Sequence, residues 1–482
     1  MTDDSLTPRG LPIALDRAVS FWAGGRLMTG GAPWGVARFA ETALPHLAAL
    51  RRAGHAGLSP DSVVGRALAR QLLDRGLAHP VLSPRPGPHA VTAVVPAFGR
   101  PDELSRCLAS LRGLPVLVVD DGSPDPGPVR AAAEAHGARL VRHEVNRGPA
   151  AARNTGLALV DTALVAFVDS DCRPERGWLD ILVPVFDDPR VAAVAPRIVP
   201  DVPAPPMGLF ARYEAARSAL DLGRDQALVR PGARVGFVPT AAVVVRRDVL
   251  REVAFDEGLR LGEDVDFVWR LHDHGLQVRY RPQARVAHTP RLGLRDWVRR
   301  RHEYGTSAAE LAERHPGRLA PARPSGLNLL SLACLAHGRP RTAATSVLVA
   351  SALLRRRLSG TPGATGLSAS VVAQGLVADA ATLGLALRRE WWPLGLVCLG
   401  ASMSSRVARA AATAMLAPVV AEWAVRGPAL DLVRWTALRC LDDLAYGTGV
   451  TASACRHRSL APLLPQVRLP FPRRGSARRI RR

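Results

Sequence analysis

The sequence predicts an α/β core with a mostly parallel sheet, preceded by a small winged-helix-like module and followed by a helical region. Three observations carry that expectation. Over about 90–290, short apolar runs of the buried-strand type alternate with amphipathic segments of helical length, the pattern of parallel strands and their crossover helices. Ahead of them lies a stretch with its own apolar set that closes in the Pro- and Gly-rich segment 83–88, which has the punctuation of a linker. After about 292 the chain turns to long Ala-, Leu- and Val-rich segments. The expected domains are therefore 1–85, 90–292 and 293–482.

In the first domain, Val19–Trp22 and Val36–Phe39 flank Thr29-Gly30-Gly31 and suggest a hairpin. A helix over about 40–53 ends at Gly54. A second follows Ser59-Pro60-Asp61 with Val63, Val64, Leu68, Leu72 and Leu73 at helical spacing. In the core, Val91–Ala97 is a continuous strand-like run, followed by a helix carrying Leu104, Leu108 and Leu111. Val116–Val119 is the next strand, followed by a helix over 127–136, and Leu164–Val168 is a third buried run with a helix after it. Sheets of this kind bind ligands at the carboxyl ends of their strands. The helical region comprises an Arg-rich amphipathic stretch over 294–315 and apolar stretches over 327–354, 368–389 and 391–425. Arg339, Arg341, Asp379, Arg406 and Arg409 interrupt these stretches, so a packed or interfacial bundle is expected rather than spans.

The chain has 482 residues, 48% hydrophobic and 22% charged, which excludes both a single small binding module and a disordered chain. Its formal net charge is +22, and all 64 basic residues are Arg. Such a charge suits an anionic membrane surface, a phosphate-bearing substrate or nucleic acid. With four Tyr and ten Phe and no basic run interleaved with aromatics, nucleic acid is not expected as a partner. The Arg-rich end, Arg473 to Arg482, suits either anionic headgroups or a solvated, disordered tail. The six Cys form no CxxC and no zinc spacing, which points to reduced thiols. Asp3, Asp4 and Ser5 open the chain without a signal-peptide pattern, so the catalytic part is expected at the cytoplasmic face, soluble or membrane-associated.

Four elements carry chemistry. Val119-Asp120-Asp121-Gly122-Ser123 ends a strand with an acidic pair that either accepts hydrogen bonds from a nucleotide or closes the strand as an Asx turn. Asp169-Ser170-Asp171 follows the third buried run, where carboxylates suit Mg²⁺ or Mn²⁺ shared with substrate phosphates. Gly262-Glu263-Asp264 opens a helix over 263–274, where acids complement the helix dipole and a cleft-facing carboxylate serves as a general base. Between them, Asn146 to Gly156 runs from a loop into a helix start with two arginines, a place for phosphate or ribose oxygens.

In this order and spacing, residues 90–290 resemble the inverting nucleotide-sugar glycosyltransferases of family 2, with their GT-A fold. The resemblance implies that Pro96, Ala97 and Phe98 close the first strand beside the uracil. It also implies that Asp120 or Asp121 binds the base and that Arg153 with Asn154 belongs to the donor site. Asp169 and Asp171 match the DxD acids that hold the donor ribose and the metal, Asp264 matches the catalytic base with Glu263 as companion, and His288 aligns with a metal-completing histidine. The QxxRW motif of processive polysaccharide synthases is absent. The whole chain resembles the glycosyltransferases of the mycofactocin system. Those glycosylate a redox cofactor made from a ribosomal peptide, adding glucose as short β-1,4-linked chains with UDP-glucose as expected donor. The N-terminal segment would then correspond to a PqqD-type peptide-recognition element. A membrane-associated family 2 enzyme acting on a polyprenyl phosphate or a cell-wall glycolipid is the alternative.

Overall fold

The computed structural model describes residues 6–203, 207–358 and 363–469; the Arg473 to Arg482 tail and Asp3 to Ser5 lie outside them. The chain divides into two compact units, Met1–Arg291 and Leu292–Arg482.

The first unit begins with β1 (Ile13–Leu15), β2 (Ser20–Trp22), β3 (Leu27–Gly30) and β4 (Gly35–Arg38), then α1 (Leu44–Ala53), α2 (Val63–Asp74) and β5 (Ala78–Pro80). Strands β2, β3 and β4 form an antiparallel meander, and β1 pairs with β5. The expected hairpin is thus three-stranded. Leu27 and Met28 are fully buried, so the segment read as the approach to a turn is the middle strand, with Thr29 and Gly30 inside it. Helix α2 is capped by Ser62, whose Oγ accepts from Gly65 N at 3.0 Å. Val63 and Val64 fall in its first turn and are 68% and 49% exposed, so they add nothing to the core that Leu68, Leu72 and Leu73 build with Ile13, Met28 and Leu47.

Segment 83–88 is tied down rather than loose: Arg85 N donates to Asp180 O at 2.8 Å, and its guanidinium pairs with Asp187. A buried polar network joins the module to the rest of the unit. Arg70 Nη1 donates to Asp188 Oδ2 at 2.8 Å and Arg70 Nε lies 2.9 Å from Asp74. Asp74 also accepts from Gln277 and Arg190, and Arg279 donates to Leu73 O at 3.1 Å.

The remainder of this unit runs β6 (Val91–Ala97), α3 (Pro101–Ser110), β7 (Val116–Asp120), α4 (Pro126–Ala135), β8 (Arg139–Arg142), α5 (Pro149–Ala158), β9 (Leu164–Val168), β10 (Cys172–Pro174), α6 (Trp178–Leu182), β11 (Val191–Pro200), α7 (Leu209–Ala216), β12 (Ala227–Val229), β13 (Ala242–Arg246), α8 (Arg247–Glu252), α9 (Glu263–Asp273) and β14 (Gln277–His288). Among the described residues, nine strands form one sheet in the order β10-β14-β11-β13-β9-β6-β7-β8, with β12 beside β14. The pairs joining β9, β6, β7 and β8 are parallel, as is β11 with β14. Strand β13 runs antiparallel between these blocks, and β10 and β12 run antiparallel to β14. The sheet is therefore mixed, its parallel part being the run of strands first read from the sequence. Val91, Val94, Val95, Val118, Phe167 and Val168 are almost wholly buried, which is why their strands read as continuous apolar runs. The carboxyl ends of β6, β7 and β9 lie together, since Ala97 pairs with Asp120 and Val94 with Phe167.

The second unit is helical: α10 (Leu294–Gly305), α11 (Ala308–Arg314), α12 (Gly326–Ala336), α13 (Pro340–Arg357), α14 (Ala364–Arg388), α15 (Trp392–Gly400), α16 (Arg406–Arg426) and α17 (Leu432–His457). The expected stretch 327–354 breaks at 337–339 and 391–425 at 401–405. Helix α17 was not anticipated, because its Arg and Asp residues obscure the apolar spacing. They are satisfied internally: Arg388 Nε donates to Asp443 Oδ2 at 2.9 Å, Arg301 Nε to Asp442 Oδ1 at 2.8 Å, and Arg439 Nε to Glu422 Oε2 at 3.1 Å. Helices α10 and α17 cross backbone to backbone, for a Cβ on Gly449 would lie 2.0 Å from His302 O. Among the described residues, α14 is the one helix long and apolar enough to cross a membrane. Its Asp379 is buried and accepts from Asn328 Nδ2 at 2.8 Å and Ser325 N at 3.0 Å.

Candidate active site

At the end of β6, Phe98 is 50% exposed. Gly99 and Arg100 follow, both with left-handed backbone at φ 64° and 52°, and lead into α3. Gly99 N donates to Ser123 Oγ at 2.7 Å, which fastens this turn to the acidic turn after β7. Asp120 accepts from Ser123 N at 3.0 Å and pairs with Arg142. Asp121 accepts from Arg147 N at 2.9 Å, Gly148 N at 2.8 Å and His143 at 2.8 Å. Both carboxylates are buried, Asp120 closing its own turn through Ser123 and Asp121 shaping the loop 145–148, so the Asx-type role is visible in the fold itself.

Arg153, on α5, is 2% exposed. Its Nη2 donates to Asp169 Oδ1 at 2.7 Å and its Nη1 to Glu263 Oε1 at 2.8 Å. One guanidinium thus joins the DxD turn to the start of α9. Burial works against its charge, but Asp169 and Glu263 hold its proton firmly and raise its pKa. The guanidinium lies over the Phe255 ring at 5.5 Å, and Phe255 stacks on Phe267 of α9 at 4.4 Å. Burial raises the pKa of Asp169 even against the pull of Arg153. Asp264 is next to Glu263 in the first turn of α9. Burial, then the Glu263 charge, pushes its carboxyl up to about 7.

Asp171 lies across the same turn. Its Oδ2 is 3.6 Å from His288 Nε2 and 3.9 Å from Arg100 Nη1. Burial opposes its ionisation, but His288 and Arg100 outweigh it and hold the carboxyl below its usual value. The position of His288 follows from register, since it pairs with Cys172 where β14 meets β10. Among the described residues no three His, Cys, Asp or Glu side chains gather into a metal site of protein ligands alone. Asp171 and His288 still fit a divalent ion that completes its shell with phosphate and water oxygens. Two bonds of about 2.1 Å to one ion are compatible with their separation, and His288 Nδ1 is buried without a partner, so no hydrogen bond there dictates the ring's tautomer. Asp169 is engaged by Arg153 instead.

The structure therefore brings Arg153, Asp169, Asp171, Glu263 and His288 together around one turn, with Asp264 beside Glu263, and sets Phe98 next to the Asp120 turn. Pro96 lies within β6 opposite Val119. Asn154 is tied to the backbone of another segment: its Nδ2 donates to Phe255 O at 2.9 Å and its Oδ1 accepts from Phe255 N at 3.1 Å. It is a staple for the 255–257 segment, a role its neighbour Arg153 masked. Sequence reasoning missed Arg100, Arg142 and His143. The last two had a signal, for Arg142 ends the strand next to Asp120, opposite it in register, and His143 follows directly; Arg100 had none, because nothing in its composition announces a left-handed residue.

Residues 92–253 match the model of glycosyl transferase family 2. The chain is 40% identical over 474 residues, 96% of its length and 98% of the relative's, to the pre-mycofactocin glycosyltransferase of Mycobacterium tuberculosis. It is 31% identical over 210 residues to the succinoglycan biosynthesis protein ExoU of Rhizobium meliloti, covering 39% of this chain and 58% of that one. Among solved structures, the mannosyltransferase PcManGT of Pyrobaculum calidifontis, in complex with GDP-Man and Mn²⁺, is 24% identical with a TM-score of 0.37, covering 61% of this chain and 83% of that one.

Proposed function

Since the chain belongs to the pre-mycofactocin glycosyltransferases, with a family 2 core of GT-A fold, we propose that it transfers glucose from UDP-glucose, with inversion, onto the peptide-derived redox cofactor precursor of the mycofactocin pathway. On this reading it extends that sugar as short β-1,4-linked chains at the cytoplasmic face. The observation that carries the reading is the Arg153 bridge, which ties Asp169 of the DxD turn to Glu263 and so fixes the donor acids against the start of the helix that carries Asp264.

In this mechanism Phe98 offers an aromatic face to the base beside the Asp120 turn, and Asp121 holds the loop 146–148 in place. Asp171 and His288 would hold a divalent cation, which would supply neutralisation of charge on the diphosphate leaving group. Asp264 takes the proton of the acceptor hydroxyl, its oxygen bonds to the anomeric carbon from the face opposite the leaving group, and the bond from that carbon to the diphosphate oxygen breaks to release UDP. Asp264 suits this task because its pKa, pushed up to about 7, matches the working pH of a general base. Arg153 and Glu263 keep it aligned, and alignment with charge stabilisation supplies most of the rate.

The test is UDP release by the full chain with Mn²⁺ or Mg²⁺, offering UDP-glucose alone, with a peptide-derived acceptor, and with a polyprenyl phosphate. Release that rises with the peptide-derived acceptor and disappears in Asp264→Asn, with UDP binding retained, is the expected result. Release with the lipid alone would transfer the reading to a membrane-associated enzyme. Silence with every UDP-sugar would sink the donor assignment.

A further inference from the structure

We propose that Arg100 is the resident cation of the cleft: it neutralises Asp171 while the donor is absent, yields that carboxylate to an arriving divalent cation, and then grips the diphosphate of the nucleotide sugar. The inference rests on the glycosyl-transfer reading above and adds a residue and a sequence of events to it.

Arg100 stands in left-handed backbone directly after left-handed Gly99. For a residue with a Cβ that conformation is unfavourable, and such outliers persist where surrounding structure enforces them, often at ligand sites. Here the enforcing contact is the bond from Gly99 N to Ser123 Oγ. The consequence is a side chain that reaches back to the DxD turn, where Nη1 hydrogen-bonds Glu103 at 3.1 Å and lies 3.9 Å from Asp171 Oδ2. The second distance is an ion pair without a hydrogen bond. The Arg100 side chain is 43% exposed, so the contact is one it can leave.

Two arginines touch the 169–171 acids, and they divide the work. Arg153 is buried and both its Nη atoms are committed to carboxylates, so its guanidinium is pinned between those acids and is not the group that swings to a ligand. Arg100 has one firm partner and open space. A divalent cation settling on Asp171 and His288 would repel a guanidinium 3.9 Å from the same oxygen. The displaced group would meet the diphosphate that the cation also contacts, and a planar guanidinium grips phosphate oxygens through paired N–H donors. Glu103 supplies the hinge, holding Arg100 near the site without filling its donors.

The experiment measures Mn²⁺ binding to the full chain by the loss of the free-ion EPR signal without nucleotide, and UDP and uridine binding by calorimetry with Mn²⁺ present. The proteins are the parent, Arg100→Met, Arg100→Lys and Glu103→Gln, each checked for parent-like circular dichroism. Removing the competing cation is expected to tighten Mn²⁺ binding several-fold in Arg100→Met while UDP binding weakens roughly tenfold, the scale of losing one charge-assisted pair. Uridine, which has no diphosphate, should bind as it does to the parent. Arg100→Lys is expected in between. Glu103→Gln should act in the opposite sense on Mn²⁺, because Arg100 then leans wholly on Asp171. Equal Mn²⁺ and UDP affinities in parent and Arg100→Met would overturn the role of Arg100 alone. A parent that binds neither Mn²⁺ nor UDP would overturn the glycosyl-transfer reading with it.

Discussion

Arg153 and Glu263 are 110 residues apart in sequence and meet in a buried ion pair, Nη1 to Oε1 2.8 Å. The same guanidinium reaches Asp169 through its other nitrogen, so its loss would leave two carboxylates without their counter-ion. Uncompensated buried charge of this kind costs about 3–5 kcal/mol. Arg153→Met is expected to lose about that much stability in urea unfolding, with transfer falling at least as far as in Arg153→Lys, which can satisfy one acid at a time.

The pH dependence follows from Asp264. Its carboxyl is pushed up to about 7 by burial and the Glu263 charge and accepts a proton only when ionised, so kcat/KM should rise about tenfold per pH unit below about 7 and level off above. Folding raises this pKa from the ordinary 3.8 of an aspartate and so favours the protonated form. Its contribution to stability is complete below about pH 4 and is lost as pH rises through about 7. Asp264→Asn is therefore expected to unfold at higher urea than the parent at pH 8, by roughly 1–3 kcal/mol, while losing transfer. A variant no more stable than the parent at that pH would contradict the burial argument.

Asn154 separates two roles that the sequence left joined. Its amide bonds the backbone of Phe255 on both sides, so Asn154→Ala should cost about 1–3 kcal/mol. UDP affinity should stay near that of the parent if the residue is a staple, and calorimetry would expose a direct donor contact as a large loss with little change in stability.

In the helical unit, a Cβ at position 449 would meet His302 O at 2.0 Å. Gly449→Ala should force α10 and α17 apart and cost about 1–3 kcal/mol, the usual penalty of overpacking. An unchanged melting temperature would mean that the crossing is looser than the backbone contact implies.

Much of this arrangement was legible in the sequence because the signals were local. Val91–Ala97, Leu164–Val168 and the helix beginning at Glu263 announce themselves by apolar continuity or spacing, and Asp120, Asp169 and Asp264 follow strand ends and a helix start. What escaped depended on partners far along the chain or on backbone geometry. Strand β13 looks like any Val-rich run, and only its neighbours make it antiparallel. The double pairing of Arg153 needs two acids brought in by tertiary packing, and the left-handed Arg100 follows a Gly99 held by Ser123 of the neighbouring strand's turn. Helix α17 hid behind charges that pair with one another inside the bundle.

The buried polar seam between the N-terminal module and the sheet decides how anything held by that module would be delivered. A passenger on a flexible tether samples a volume fixed by the length of its leash, and its encounters are set by effective concentration. Arg70, Asp188 and Arg279 allow no such search, because they seat α2 on the strands by buried hydrogen bonds. Cargo on this module would arrive at one position and orientation, as on a jig. A chain shortened to begin at position 86 would give up that placement and leave the Asp188 carboxylate without Arg70 and the Gln277 Nε2 without Asp74.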